Sequence, residues 1–571
     1  MGIDYKAVGL KCGLECHQQL DTKKLFCSCP SILTNKNAEQ KVRRYLFAAA
    51  SELGEFDRAA LQAVQRGLSY EYEYFDESCC LVELDEEPPH TLNKEALKVA
   101  LQVAMMLNST IVDKLIVMRK IVVDGSNVSA FQRTLLIAKG GYLEVNNKRI
   151  GIQTVVLEED AARPSAKTEK SIIYKLDRLG VPLIEIATAP DITTPSEAKI
   201  VALKIGEVLR RTCKAKRGLG TIRQDLNISI ANGARVEIKG VQDLQIMDKV
   251  VEYEVQRQLA LIEIKEILNK KSNVKLIKEE FVDITPLLSD SNSNLIKKNI
   301  AKGNRIFALP LPGFSGILGK ELQPGRRFGT ELADYVRAYT NLQGIIHSDE
   351  LPGYGISEAE KNAIFSKLRI DKSKDAFVVV IGREAKAKQA LKIVLERCRT
   401  AFIKVPEETR NALEDGTSSF SRPLPGSARM YPETDIPTIE IDEKLLKELK
   451  KNLPKTVEER VQLYRKHGLS EKLTNQMKLS NYACFFEELL EEGFNATTAA
   501  TLLLDVLPAL KRKGIAEPSK DEIKELLIAE QKGKIEKSSF AEIIEEAQKI
   551  GISNAIKKYE ISKRPKEFEN I

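Results

Sequence analysis

Five short segments in the first half of the chain carry carboxylates, a histidine, amides and cations at every second position. In GLECHQQL (13–20), Glu15, His17 and Gln19 share one face of an extended strand, while Leu14 and Cys16 take the other. In TVVLEEDAARP (154–164), Glu158 and Asp160 fall on one face and Glu159 on the opposite one. Glu185 stands in GVPLIEIATAPD (180–191) between Ile184 and Ile186. TIRQDLNIS (221–229) alternates Arg223, Asp225, Asn227 and Ser229 with Leu226 and Ile228. ARVEIKG (234–240) does the same with Arg235, Glu237 and Lys239. Carboxylates gathered on one surface repel unless a cation lies between them, and a hard divalent ion with phosphate oxygens is their natural partner. Histidine is a less usual magnesium ligand and acts there through water or on a softer ion. The solvated face of an antiparallel sheet gives the same alternation. Arg235, Glu237 and Lys239 taken alone fit that plainer reading, whereas Glu15 with His17, and Glu185 in an apolar strand, fit function. No GxxxxGK[ST] sequence is present, so a Walker-type phosphate loop is excluded.

Such residues need a sheet to align them. Extended alternation is expected at 7–20, 114–123, 154–160, 181–187, 221–230 and 235–240, and helices at 94–107, 195–211 and 248–268, where apolar residues recur at helical spacing. A Lys- and Asn-rich stretch at 269–278 marks a boundary. A second α/β segment follows to about 405, with an apolar strand at 376–381 and a turn-rich stretch at 309–325. Residues 406–440 are rich in Pro, Gly and Ser and read as irregular, and from about 443 the pattern is helical, with Lys and Glu on the outer faces.

With 571 residues, the chain is too long for one core. Its 43% hydrophobic and 30% charged content is that of an ordinary soluble globular protein, and a net charge of +7 does not by itself indicate nucleic-acid binding. No apolar run approaches the ~18 residues of a membrane span, and the N-terminus lacks the apolar core of a secretory signal. Nine cysteines, an odd number in so long a chain, predict a reducing cytoplasm rather than a disulfide framework.

The strings GLECHQQL, KLFCSCP, LEEDAARP, YKLDRLGVPLIEIATAPD, GLGTIRQDLNISI and EIKGVQDLQ, spread over the first 245 residues, resemble the GatB/GatE family of tRNA-dependent amidotransferase subunits. MRKIVVDGSNVSAFQRT (118–134) is similar to the E-type rather than the bacterial B-type branch. So is the segment near 275–405, where PGFSGILG and RFGTELADYVRA look like the extra domain of bacterial aspartyl-tRNA synthetase. SARMYPETDIP (427–437) looks like the closing part of the catalytic domain.

The resemblance implies a multidomain α+β fold. Its parts would be an antiparallel-sheet cradle domain at 1–272, an α/β insertion at 273–405, the cradle's closing part at 406–442, a helical domain at 443–515 and a tRNA-binding tail at 516–571. It implies a ligase: ATP phosphorylates the glutamate carried by tRNA(Gln), and ammonia displaces phosphate to give glutaminyl-tRNA(Gln). Family metal ligands carry over to Glu15, His17, Glu185 and the Glu158–Glu159 pair, with Mg²⁺ as the metal and Glu15, His17 and Glu185 as the catalytic set. Arg223, Asp225 and Lys239 are candidates for contact with ATP, with structural pairing along neighbouring strands as their plainer alternative. Ammonia would come from an asparaginase-like GatD subunit in a heterotetramer of two D and two E subunits. The sequence agrees, since it holds no amidase Ser-Ser-Lys pattern.

Relatives of the B-type carry C-x-C followed by C-x-x-C, a tetrahedral zinc pattern. Here Cys27 and Cys29 are followed by the adjacent pair Cys79-Cys80, which makes four-thiolate geometry harder, so inert buried thiols are expected rather than zinc. Cys12, Cys16, Cys213, Cys398 and Cys484 read as small core residues. Family members continue past Pro565-Lys566-Glu567, whereas this sequence stops at Ile571, so its tail is expected to be short. Lys532, Lys534, Lys557, Lys558 and Lys563 in that tail would touch tRNA phosphates. The alternatives are a B-type subunit also acting on aspartyl-tRNA(Asn), an aspartyl-tRNA synthetase and a non-catalytic tRNA-binding scaffold. The insertion argues against the first, the polar DLNISI strand after GLGTIR against the second, and the carboxylate-bearing strands against the third.

Overall fold

The computed structural model describes residues 2–45, 69–122, 124–168, 171–424 and 430–561. Lys563 and the 565–567 segment lie outside them. The chain divides into two compact units, one of residues 1–205 and 216–442, the other of residues 206–215 and 443–571.

A twelve-stranded sheet organises the first unit. Its middle is the Lys11–Gln19 strand, flanked antiparallel by Pro182–Thr188 on one side and Ile222–Ser229 on the other. Beyond Pro182–Thr188 come Lys148–Glu159, Phe131–Lys139, Val117–Ile121 and Met430–Pro432. Beyond Ile222–Ser229 come Val236–Lys239, Glu408–Ala412 and Ser418–Pro423. The expected strands and helices are present, with Lys148–Glu159 starting well before the expected segment. The rear of the sheet is apolar: Leu14, Cys16, Ile184, Ile186, Leu226, Ile228 and Ile238 are all buried. The Lys94–Met106 helix packs behind Phe131–Lys139 and Lys148–Glu159, and the Met247–Lys271 helix behind Ile222–Ser229. Asn93 caps the first of these, its side-chain oxygen accepting from the backbone N–H groups of Glu95 and Ala96.

Residues 406–423 are not irregular. They form Glu408–Ala412 and Ser418–Pro423, the first of which joins Val236–Lys239 as a parallel pair, so the sheet is not purely antiparallel. The Pro, Gly and Ser content hid these strands because their pairing partner lies about 170 residues earlier. A separate four-stranded sheet of Gln40–Arg44, Ser69–Tyr74, Arg163–Lys167 and Ser171–Lys175 was not anticipated.

The 273–405 segment carries its own antiparallel sheet, ordered Val282–Asp283, Arg305–Leu311, Ala376–Gly382 and Ile346–His347. Its Phe328–Thr340 and Glu384–Ile403 helices form one core with Leu261, Ile264 and Leu268 of the Met247–Lys271 helix.

The second unit is helical from Glu443–Lys451 to Ile552–Lys558, around one core that runs from Tyr464 to Ile556. Cys213 and Cys484 are joined there by a disulfide, against the expectation of small core thiols. Lys534 pairs with Glu560 and Lys558 with Glu546 on this unit's surface.

Candidate active site

The pleat delivers the alternating residues to the front of the sheet as the register requires. His17 lies opposite Glu185 on one neighbouring strand and Arg223 on the other, while Glu15 lies opposite Asp225. Glu15, His17, Lys120, Gln132, Glu158, Asp160, Glu185, Arg223, Asp225, Asn227, Arg235, Glu237, Lys239 and Arg422 line one cleft of about 700 Å³.

Two groups of ligand atoms stand out in it. His17, Glu158 and Glu185 offer atoms within 4.8 Å of one another, and Glu15, Asp225 and Glu237 do the same beside them. His17 Nε2 is 3.2 Å from Glu185 Oε2. Lys120 Nζ is 2.6 Å from Glu158 Oε2 and 3.8 Å from Glu185 Oε2. Burial pushes the Glu185 carboxyl up, but the His17 hydrogen bond and the charges of Lys120 and His17 outweigh it and bring it down to about 2. Glu15 moves the other way, raised by burial and by Glu185 against the opposing charge of Lys239. Anionic oxygens around an imidazole, with an ammonium already drawn to them, form a donor set that fits a divalent cation.

The same cleft is edged by cations held in place. Arg223 donates to Asp160 Oδ1 at 2.6 Å, and Gln19 Nε2 reaches Asp160 Oδ2 at 2.6 Å. Lys239 Nζ lies 2.7 Å from Asp225 Oδ2 and 2.6 Å from Glu237 Oε1. Burial works against the Lys239 charge, yet Asp225 and Glu237 hold its ammonium well above the usual lysine range. The pairing expected as the plainer alternative for Arg223, Asp225 and Lys239 is therefore present, and the same three residues face the cleft. Glu237 with Lys239 is part of this wall and not a solvated edge, since Glu237 is buried.

Glu158 and Glu159 separate cleanly. Glu158 faces the cleft, whereas Glu159 points behind the sheet to Arg133, whose NH1 is 3.5 Å from Glu159 Oε2. Of the pair, it is Glu158 that groups with His17 and Glu185, while Glu159 lies outside that group. Lys120 and Gln132 were not singled out from the sequence, and Asp160 was noted there without a role. Lys120 had a weaker signal in Val117–Ile121, where it and Arg119 take opposite faces of one strand. Asp160 had one in sharing the face of Glu158.

Away from the cleft, Cys27, Cys29, Cys80 and Glu83 offer ligand atoms within 4.8 Å of one another. Cys79 points instead into an aromatic core with Tyr70, Tyr72 and Phe75. Cys27 Sγ donates to Glu83 Oε1 at 3.0 Å, and the backbone N–H of Cys80 donates to Glu83 Oε2 at 2.7 Å. Burial and Glu83 push Cys29 up to about 12, while the neighbouring Cys27 lowers Cys80 to about 7. Three thiols and a carboxylate are a donor set that suits zinc.

Residues 10–447 match the model of the GatB/GatE catalytic domain. The chain is 47% identical over 551 residues to the E subunit of glutamyl-tRNA(Gln) amidotransferase from Methanocaldococcus jannaschii, covering 95% of this chain and 87% of that protein. It is 48% identical over 568 residues to the protein of the same name in Sulfurisphaera tokodaii, covering 98% and 90%. Against that of Pyrococcus abyssi it is 49% identical over 547 residues, covering 95% and 86%.

Proposed function

The chain belongs to the GatB/GatE family, and from that premise we propose that it is the ATP-using, tRNA-binding subunit that amidates glutamate on tRNA(Gln). The observation that carries this reading is the meeting of His17, Glu158 and Glu185 with Lys120, Arg223 and Lys239 in one cleft. A side-chain carboxylate is a poor electrophile. Transfer of the γ-phosphoryl group to it makes an acyl phosphate, and ammonia attack then forms the amide bond as phosphate leaves. Most of the protein's work in such a transfer is positioning and charge neutralisation. His17, Glu158 and Glu185, with Glu15 in the adjoining carboxylate group, would hold Mg²⁺, which when bound neutralises phosphate charge. Arg223 and Lys239, fixed by Asp160 and by Asp225 with Glu237, would bind the phosphates, and Lys120 would take the charge that develops on the transferred group.

Ammonia would come from an asparaginase-like GatD partner in a heterotetramer. The purified chain is therefore expected to form glutaminyl-tRNA with ammonium and ATP but not with glutamine. Glutamine-dependent product from the chain alone, free of the partner, would refute this division of labour.

We further read Cys27, Cys29, Cys80 and Glu83 as a zinc site, with Glu83 in the place left by Cys79. Metal analysis of the purified protein should find about one zinc per chain, and Cys80→Ser should lose it while Cys79→Ser keeps it. Equal retention in both variants would remove this assignment. The lysine-dense surface of 519–561 is assigned to tRNA phosphates through Lys532 and Lys557. Point variants suit that assignment better than truncation, because removing 516–571 would strip Leu526, Leu527, Ile543 and Ile544 from the core.

A further inference from the structure

The Glu408–Ala412 strand sends alternate side chains to opposite sides of the sheet. Behind it, Glu408 and Arg410 enter a buried lattice of charges. Arg257 NH2 is 2.5 Å from Glu408 Oε1, Arg257 Nε is 2.7 Å from Glu331 Oε2, and Arg410 NH1 is 2.5 Å from Glu408 Oε1. Arg397 NH2 adds a contact to Glu331 Oε1 at 2.6 Å, and the Tyr335 hydroxyl donates to Glu408. Glu331, Tyr335 and Arg397 all come from the 273–405 segment. In front, Thr409 is fully buried, and the parallel register sets it beside Glu237. Its Oγ1 donates to Glu237 Oε2 at 2.8 Å. The other oxygen of Glu237 takes Lys239 Nζ, which Asp225 shares.

Glu237 thus gives one oxygen to the Lys239 ammonium and the other to the Thr409 hydroxyl, which stands on a strand locked at its back. We propose that Thr409 is a positioning residue: by holding Oε2 of Glu237 it keeps the Lys239 ammonium centred between Glu237 and Asp225, facing the phosphates of bound nucleotide. This rests on the reading of the cleft as the ATP site. It gives the 273–405 segment a part in nucleotide binding, because that segment supplies half of the lattice that fixes the Thr409 strand.

The test compares Thr409→Val, which keeps the shape and loses the hydroxyl, with Thr409→Ser, which keeps the hydroxyl. Thr409→Ala serves as a second hydroxyl-free variant should valine prevent folding. The readouts are equilibrium titration with ATP and magnesium, the KM for ATP and kcat with ammonium as donor, tRNA affinity and the thermal midpoint. A charge-assisted hydrogen bond predicts about a tenfold weaker ATP affinity in Val or Ala, with serine restoring it. The tRNA affinity should stay within about twofold of wild type, since the hydroxyl's hydrogen bond goes to Glu237 inside the sheet. In a Lys239→Ala background Thr409→Val should add nothing. Valine and serine behaving alike, or additive losses with Lys239→Ala, would overturn the role of Thr409. If Lys239→Ala itself leaves ATP affinity unchanged, the reading of the cleft fails instead, so the two failures are told apart.

Discussion

Glu185→Ala is expected to lower amide formation by at least about a thousandfold while tRNA affinity stays near that of the unaltered chain. Glu185 touches His17 and faces Lys120, in the middle of the donor set that would hold the metal and steady the transferred phosphoryl group. Removing one fixed electrostatic group from a phosphoryl or acyl transfer site costs about 10²–10³ in rate. Here the loss also leaves His17 without its carboxylate and Lys120 with one fewer anion, which raises the expected effect. His17→Ala should behave in the same way. The stronger discriminator is the neighbouring pair. Glu158→Ala should match Glu185→Ala, because Glu158 faces the cleft. Glu159→Ala should instead act through stability, by about 3 kcal/mol, because it removes a carboxylate from buried Arg133. Arg133 keeps a second partner, its Nε lying 2.8 Å from Glu433 Oε2, so the variant should fold and retain activity in proportion to its folded fraction. Steady-state amidation, filter binding and denaturant titration on the four variants decide the matter. Activity lost in step with tRNA affinity at Glu185 would sink the assignment, as would a Glu159 variant that is stable but inactive.

Much of that site is legible in the sequence, because period-2 alternation is a local property and the residues concerned are chemically conspicuous. A histidine and a glutamate in apolar strands announce themselves. What alternation left open was which of two adjacent glutamates faces the metal, since each strand has two faces and only the pairing of Leu183 with Glu158 orients them. Lys120 is not legible in the same way, because it follows Arg119 directly and only the pairing with Phe131–Lys139 decides which of the two faces the cleft. The Glu408–Ala412 strand was missed for a different reason. Its sequence, ETRNA, has little strand propensity, and its conformation is set by a parallel neighbour distant in the chain. Nothing local marks the pairing of Cys213 with Cys484 either, at a separation of 271 residues. Charged residues such as Arg257 and Glu331 read as helix surface by frequency, and both are buried.

That burial gives the second large effect, which concerns the 273–405 segment. Read from the sequence, this segment is an α/β insertion, and if it serves to select the tRNA its deletion weakens discrimination and spares the chemistry. Its core says otherwise. Deletion would expose Leu261, Ile264 and Leu268 of the Met247–Lys271 helix and would leave Arg257 and Arg410 without Glu331. The deletion protein is expected to be insoluble, and a point variant gives the quantitative test. Burial disfavours the Glu331 charge, but Arg257, Arg397 and Arg410 surround it and hold its carboxyl far below the usual range. A carboxyl whose folded pKa is depressed contributes stability that is present above the unfolded value of about 4.3 and is lost as pH falls. Glu331→Gln should therefore cost about 3–5 kcal/mol at pH 7, the range for breaking a buried ion pair. Its deficit against the unaltered chain should shrink as both are acidified below about pH 5. Glu254 in the same lattice is shifted upward by burial against the pull of Arg257, so it contributes with the opposite sign. The difference between variant and parent, not the parent's own acid curve, isolates Glu331. Denaturant titrations of both proteins across pH 7 to 3 supply the measurement. A deficit under about 1 kcal/mol at pH 7, or one that grows on acidification, would mean that the lattice does not join the segment to the sheet energetically. A soluble deletion protein that still activates glutamyl-tRNA would mean the same and make the segment a separable module.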